Sequence, residues 1–361
     1  MSRKAVFITD CEGPISKNDN AFELASHFIP DGDKLFTIIS RYDDIEADIV
    51  KRPGYKAGDT LKLILPFLKA YGVTNEKMRD YSSKNILLVP GADETLKFVY
   101  RIMPSFIVST SYEHYIKALC DIIGFPMENA YCTRVNIDKY ALSEEETERI
   151  KKFRDEILRM PKLRIPEGAR RLEDLPEEVQ SAVRRLDEIF WLEFSEMEAG
   201  RMLREVNPVG GFEKANAIKE IIEKTKSDIS DVIYIGDSIT DVDPFRLVRE
   251  GGGLTVSFNG NQYAIREAEI AVMSHNTVII SILADLFRKI GREGILHIIE
   301  EWSTSSLKEI CEPSLVAKLK SLPEDETPRI ERITPENMGR LAHESSEFRK
   351  TVRGKAIGSL G

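Results

Sequence analysis

The 361-residue chain predicts an α/β fold built on an open, Rossmann-like parallel sheet, and three observations predict it. Apolar runs at residues 5–9 (AVFIT), 105–108 (SFIV) and 232–235 (VIYI) lack alternation and read as strands buried on both faces. Each run ends in small or polar residues, and the carboxyl-end exits of parallel strands are where such sheets build sites. Amphipathic stretches at 92–101, 112–123 and 213–226 alternate with these runs, which is the βα pattern. Further strands are expected at 253–256 and 270–272.

Two regions stand outside the alternation. Residues 17–85 follow the first strand directly and read as mostly helical, carrying DKLFTIISRYDDIEADIV. Residues 141–204 are charge-dense and helical, divided by the proline-bounded PKLRIPEGARRLEDLP. Both read as insertions at loops, the second open to another reading as a solvated helical hairpin without chemistry. The core is then 1–16, 86–140 and 205–300, and 301–361 is a helical C-terminal extension, with Thr334 and Pro335 as cap and first position of a last helix.

Composition narrows the function classes. Charged residues make up 31% of the chain with a net charge of -9, and no basic patch with interleaved aromatics relieves that balance, which argues against non-specific nucleic-acid binding. Cys11, Cys120, Cys132 and Cys311 are scattered and form no CxxC pair, so neither a zinc site nor a disulfide framework is indicated. That points to a reducing compartment. The apolar part of MSRKAVFITD is too short for a signal peptide, and no stretch approaches the roughly 20 apolar residues of a membrane span. A cytoplasmic location is expected.

The chemistry begins in DCEGP, where Asp10 and Glu12 end the first strand. The third strand runs into VIYIGDSITDVDP, which supplies Asp237, Asp241 and Asp243. Two unpaired carboxylates about 4 Å apart repel by roughly 4 kcal/mol at an effective dielectric near 20, so a converging set needs a cation. Oxygen ligands with no histidine or thiolate nearby select Mg²⁺, which is usually held by a few carboxylates and a substrate phosphate. The competing reading of GDSITD is a solvated Asx turn. IVSTS places Ser109, Thr110 and Ser111 where hydroxyls and helix-start amides hold phosphate oxygens, or where they simply cap a helix. Lys214, after the glycine pair of NPVGGFEKANAI, is either a phosphate-site cation or a surface lysine. Cys11 reads as a small core residue, and His27, His114 and His275 are assigned no role. Asp243 is either part of the acidic shell or a helix cap.

Taken together these motifs resemble the haloacid dehalogenase-like superfamily of aspartate-nucleophile phosphatases. DCEGP is similar to its DxDG first motif, IVSTS to its second, the lysine of FEKANAI to its third and GDSITDVD to its fourth. Glu12, where most members carry aspartate, and the following GFPMENAYCTRVNID resemble the phosphoserine phosphatase and phosphoserine–homoserine phosphotransferase branch. With its charged insertion and tail the whole chain also resembles archaeal proteins labelled as subunit R of energy-converting hydrogenase A, a label that names no activity.

The resemblance implies Asp10 as nucleophile forming an aspartyl phosphate and Glu12 as general acid and base. It implies Mg²⁺ between Asp10, the backbone carbonyl of Glu12 and Asp237, with Asp241 completing the shell. Ser109 would bind the phosphoryl group, with Thr110 as the alternative if the strand is shifted by one, and Lys214 would neutralise charge. Residues 17–85 would be a mobile cap, with Arg41, Arg52 and Lys56 as candidates to meet a charged substrate. The expected activity is phosphomonoester hydrolysis of a small metabolite. Phosphotransfer to an alcohol, or a regulatory subunit docking through 141–204 or the tail, are the alternatives.

Overall fold

The computed structural model describes residues 4–166, 168–300, 302 and 304–360. Its centre is a seven-stranded sheet in the order β3-β2-β1-β4-β5-β6-β7. The strands are β1 (Val6–Thr9), β2 (Ser105–Tyr112), β3 (Ala130–Thr133), β4 (Val232–Gly236), β5 (Leu254–Phe258), β6 (Ile270–Met273) and β7 (Arg329–Arg332). The first six are parallel and β7 pairs antiparallel with β6. This is the predicted fold class, a Rossmann-like parallel sheet with helical insertions. β3 and β7 are strands the sequence patterns did not reveal.

The unalternating runs are buried on both faces, as their composition requires. Phe7, Ile107, Ile233, Ile235, Val256 and Val272 pack on one side with the helices Ala92–Ile102, Glu113–Ile123 and Val278–Glu300. Val6, Ile8, Phe106, Val108, Val232 and Tyr234 pack on the other side with Phe212–Thr225 and Val242–Glu250. Because β1 lies between β2 and β4, the strand order reverses at β1, and the carboxyl ends of β1 and β4 open side by side.

Segments 17–85 and 141–204 form one helical layer over that end of the sheet. The helices Thr60–Ala70, Glu144–Ile157 and Glu177–Asp187 contribute to a single apolar cluster. Its middle is aromatic: Phe194 lies 5.9 Å from Phe67, 5.4 Å from Phe153 and 5.9 Å from Phe190. The charged segment is therefore not a free-standing solvated hairpin; its charges face outward and its apolar stripe is covered by 17–85.

The C-terminal extension differs most from expectation. It adds β7 to the sheet edge and then the helix Met338–Arg353, which begins at Asn337 rather than at Thr334 and Pro335. Asn337 Oδ1 accepts the Thr334 amide at 2.8 Å, so Pro335 opens a turn and the helix follows it. Leu341 is fully buried, and Ser345 donates to the Gly260 carbonyl at 2.6 Å. Past the helix, Leu360 joins the apolar cluster of the helical layer.

Phe194→Ala removes the ring on which both insertions converge and is expected to cost about 3–5 kcal/mol, measured by chemical denaturation. A second expectation concerns pH. Burial pushes the Asp43 carboxyl up to about 7, against roughly 3.9 in an unfolded chain. A raised carboxylate pKa contributes stability that is complete below the unfolded value and is lost as pH rises through the folded one. Asp43→Asn is therefore expected to gain on the parent protein as pH rises from 4 to 8, by about 1.4 kcal/mol per unit of raised pKa at most; melting temperatures across that range check it.

Candidate active site

Register brings the acidic exits together. Thr9 pairs with Ile235, and the Asp10 amide extends the ladder by donating to the Ile235 carbonyl at 2.8 Å. Asp10 and Asp237 thus leave neighbouring strands. Gly13 has φ +107, and a Cβ there would collide with the Asp237 carboxylate, so only glycine lets the first loop close on the fourth motif. Gly236 serves the same end, since a Cβ on it would run into the side chain of Asp241.

Lys214 lies at the centre of the charges. It is fully buried at the start of Phe212–Thr225 and donates to Asp10 Oδ2 at 2.5 Å and to Asp241 Oδ1 at 2.8 Å. The Gly210–Gly211 turn lets it approach, because a side chain on Gly210 would strike the Ala57 carbonyl. Burial works against its charge, yet Asp10 and Asp241 hold the ammonium above the ordinary lysine range. It is not a surface lysine.

Each carboxylate is held differently. Asp241 accepts from Lys214, from the Tyr234 hydroxyl at 2.7 Å, and from the amides of Asp237 at 2.9 Å and Ser238 at 3.0 Å. Burial would raise its carboxyl, but Lys214 and these hydrogen bonds bring it below the ordinary value. Asp10 takes Lys214 on one oxygen and the Cys11 amide at 2.6 Å on the other. Burial pushes its carboxyl up to about 7 despite Lys214, with Asp241 and Asp237 adding to the rise. Glu12 accepts the Asn20 amide at 2.7 Å, and burial, with Asp19 nearby, raises it well above the usual carboxylate range. Burial likewise raises Asp237, opposed by Arg349 and Arg353.

The donor set fits a divalent cation. Asp10, Asp237 and Asp241 each offer a buried carboxylate oxygen, and these oxygens lie within 4.8 Å of one another with no histidine or thiolate among them. With its hydrogen-bonding capacity so filled, Asp241 is better placed to orient than to bind. The Glu12 side chain turns toward Asn20 and does not join the three aspartates.

A cavity of about 80 Å³ opens onto these groups. Asp10, Glu12, Ser109, Thr110 and Asp237 line its floor, and Phe36, Ser40 and Asp43 its roof. Both hydroxyl candidates reach it, with different ties. Ser109 Oγ is 3.2 Å from Ser111 Oγ, whereas the buried Thr110 Oγ1 has no hydrogen-bond partner among the described residues. Cys11 packs into the sheet core with its thiol raised by burial. Asp243 sits outside the cavity in the first turn of Val242–Glu250. His114 lines a separate groove of about 1100 Å³ between 75–83 and 113–136.

The basic residues of the helical layer do not reach the cavity. Arg41 pairs with Asp44 at 2.9 Å, Arg52 with Glu46 and Asp187, and Lys56 with Asn207 at 2.5 Å. The basic side chains that line the cavity are Arg349 and Arg353 of the C-terminal helix, both bonded to Asp237 Oδ2, Arg353 at 3.2 Å. Sequence reasoning missed them. The i, i+4 arginine spacing in EFRKTVRGK was visible, but on a helix it more often marks a solvated face.

No family model matches the chain, and no curated protein does. Among solved structures, gene product AF1437 from Archaeoglobus fulgidus is 28% identical with a TM-score of 0.81, covering 99% of each chain, so the likeness includes both insertions and the extension. A substrate-bound phosphoserine phosphatase complex aligns at 14% identity and a TM-score of 0.47, over 78% of this chain and 98% of its own. A phosphoserine phosphohydrolase-like protein from Francisella tularensis aligns at 13% identity and a TM-score of 0.41, over 78% of this chain and 99% of its own. Neither phosphatase likeness is close enough to carry an argument about activity.

Proposed function

We propose that the protein is a phosphomonoester hydrolase of the haloacid dehalogenase-like type, with Asp10 as nucleophile. The observation that carries this reading is the buried Lys214 bridging Asp10 and Asp241 beside a cavity edged by Glu12, Ser109 and Thr110. It joins all four motifs of the resemblance in one place.

A carboxylate oxygen of Asp10 would attack phosphorus as the bond from phosphorus to the leaving oxygen breaks, giving an aspartyl phosphate. Glu12, whose carboxyl is raised by burial and by Asp19 nearby, would donate a proton to the leaving oxygen. The resulting carboxylate would then take a proton from water as the water attacks phosphorus, and cleavage of the acyl phosphate's P–O bond to Asp10 frees inorganic phosphate and returns the Asp10 carboxylate. The extra methylene of glutamate relative to aspartate is taken up by the Asn20 amide, which fixes the carboxyl group. Thr110 and Ser109 would donate to the phosphoryl oxygens, and Lys214 would offset charge on Asp10 as it grows on the transferred group. Asp10 and Asp237 would hold Mg²⁺ with Asp241 orienting them, and the ion when bound supplies positive charge that keeps Asp10 ionised and neutralises phosphate.

Phosphate release from an aryl phosphate and a panel of phosphorylated metabolites is expected to require Mg²⁺, to stop with EDTA and to fall at least about 10³-fold in Asp10→Asn, since the step lost is covalent. Equal release by the parent and the variant on every compound would reject the reading. The two hydroxyls are expected to separate: Thr110→Val raises KM about 10- to 150-fold, as loss of a charge-assisted hydrogen bond costs about 1.5–3 kcal/mol, while Ser109→Ala has the smaller effect because its hydroxyl is already tied to Ser111. Steady-state kinetics on the best panel compound checks this.

A further inference from the structure

The C-terminal helix is built into the cavity wall. Its body is fixed to the sheet by Leu341 and Ser345, and the segment beyond it is fixed to the helical layer by Leu360 and by Arg41, which donates to the Ser359 carbonyl at 2.8 Å. The i, i+4 spacing puts Arg349 and Arg353 on one face, and both guanidinium groups are buried where that face meets the cavity.

Their bonds leave donors over. Arg353 is anchored on the loop after the first motif, to the carbonyls of Lys17 at 3.1 Å and of Asn18. Arg349 donates to Asp237 Oδ2 and to the Asp237 carbonyl at 3.2 Å, while its buried Nε has no partner among the described residues. Two guanidinium groups thus share a single carboxylate oxygen. Any cation held by Asp237 competes with them for that oxygen and frees further donors. A buried donor without a partner is costly, and an arginine fork matches the two oxygens of a carboxylate or phosphate in a way a lysine cannot.

On the phosphatase reading above, the phosphoryl group lies at Asp10, Ser109 and Thr110, and the rest of the substrate faces the roof and the arginine pair. We propose that Arg349 and Arg353 form an anion subsite selecting phosphate esters that carry a second anionic group, a carboxylate or another phosphate, within a few atoms of the transferred phosphoryl.

The test is calorimetric, on the full chain at fixed free Mg²⁺, with three unhydrolysable probes. Methylphosphonate has one anionic group, phosphonoacetate adds a carboxylate and methylenebisphosphonate adds a second phosphonate. One of the two latter probes is expected to bind about tenfold or more tightly than methylphosphonate, and which one does so identifies the second anion. In Arg349→Gln and Arg353→Gln that ratio is expected to fall within about twofold of unity, with the Lys variants between. Equal binding of all three probes to the parent protein overturns the subsite without reference to any variant and leaves the phosphatase reading standing. Absence of binding by any phosphonate strikes the phosphatase reading and the subsite with it. Tighter Mn²⁺ binding in the Gln variants with an unchanged probe ratio also overturns the subsite, since the arginines would then guard the cation site.

Discussion

Everything at the carboxyl end of the sheet depends on one buried ammonium group held between two buried carboxylates. Lys214 is charged there because Asp10 and Asp241 face it, and Lys214 in turn favours the ionised form of Asp10 against its burial. Each ion would cost several kcal/mol to bury alone. The triad fixes the approach of the Phe212–Thr225 helix to β1 and β4, and the glycines at 13, 210 and 236 make that approach sterically possible. Tyr234 and the amides of Asp237 and Ser238 then lock Asp241, so the fourth motif is rigid before any ligand arrives.

Around this centre the chain lines a cleft with three segments distant in sequence. The helical layer supplies a roof, with the second insertion bracing the first through the Phe67, Phe190 and Phe194 cluster. The extension supplies a wall and ties roof to floor, through Leu360 on one side and Arg353 on the Lys17 and Asn18 carbonyls on the other. The cavity these segments line measures about 80 Å³, well under the roughly 300–1,000 Å³ of ordinary ligand pockets.

The cavity is crowded with acid. Asp10, Glu12, Asp237 and Asp241 meet Asp19 and Asp43 around the same space, and Lys214, Arg349 and Arg353 answer them. Raised carboxyl groups at Asp10, Glu12 and Asp237 are the electrostatic result of that crowding and burial. A cation relieves it, and so, in part, does the pair of arginines.

By itself the sequence determined the parallel sheet and the convergence of its acidic exits. Unalternating runs such as VFIT and VIYI have no stable place except between two helical layers, and Asp10 and Asp237 follow those runs directly in the chain. Lys214 was legible because it opens a helix after a glycine pair. β3 and β7 were not, since AYCT and RIER are short edge strands whose pairing depends on neighbours and not on pattern. Neither Arg349 nor Arg353 could be assigned from local sequence, because i, i+4 arginines on a charged helix look the same whether water or an active site lies beyond them. Only the tertiary packing of the last helix against β6 and the Gln262–Glu267 helix decided that they face inward, and only the register shift at the end of β2 placed both Ser109 and Thr110 on one cavity.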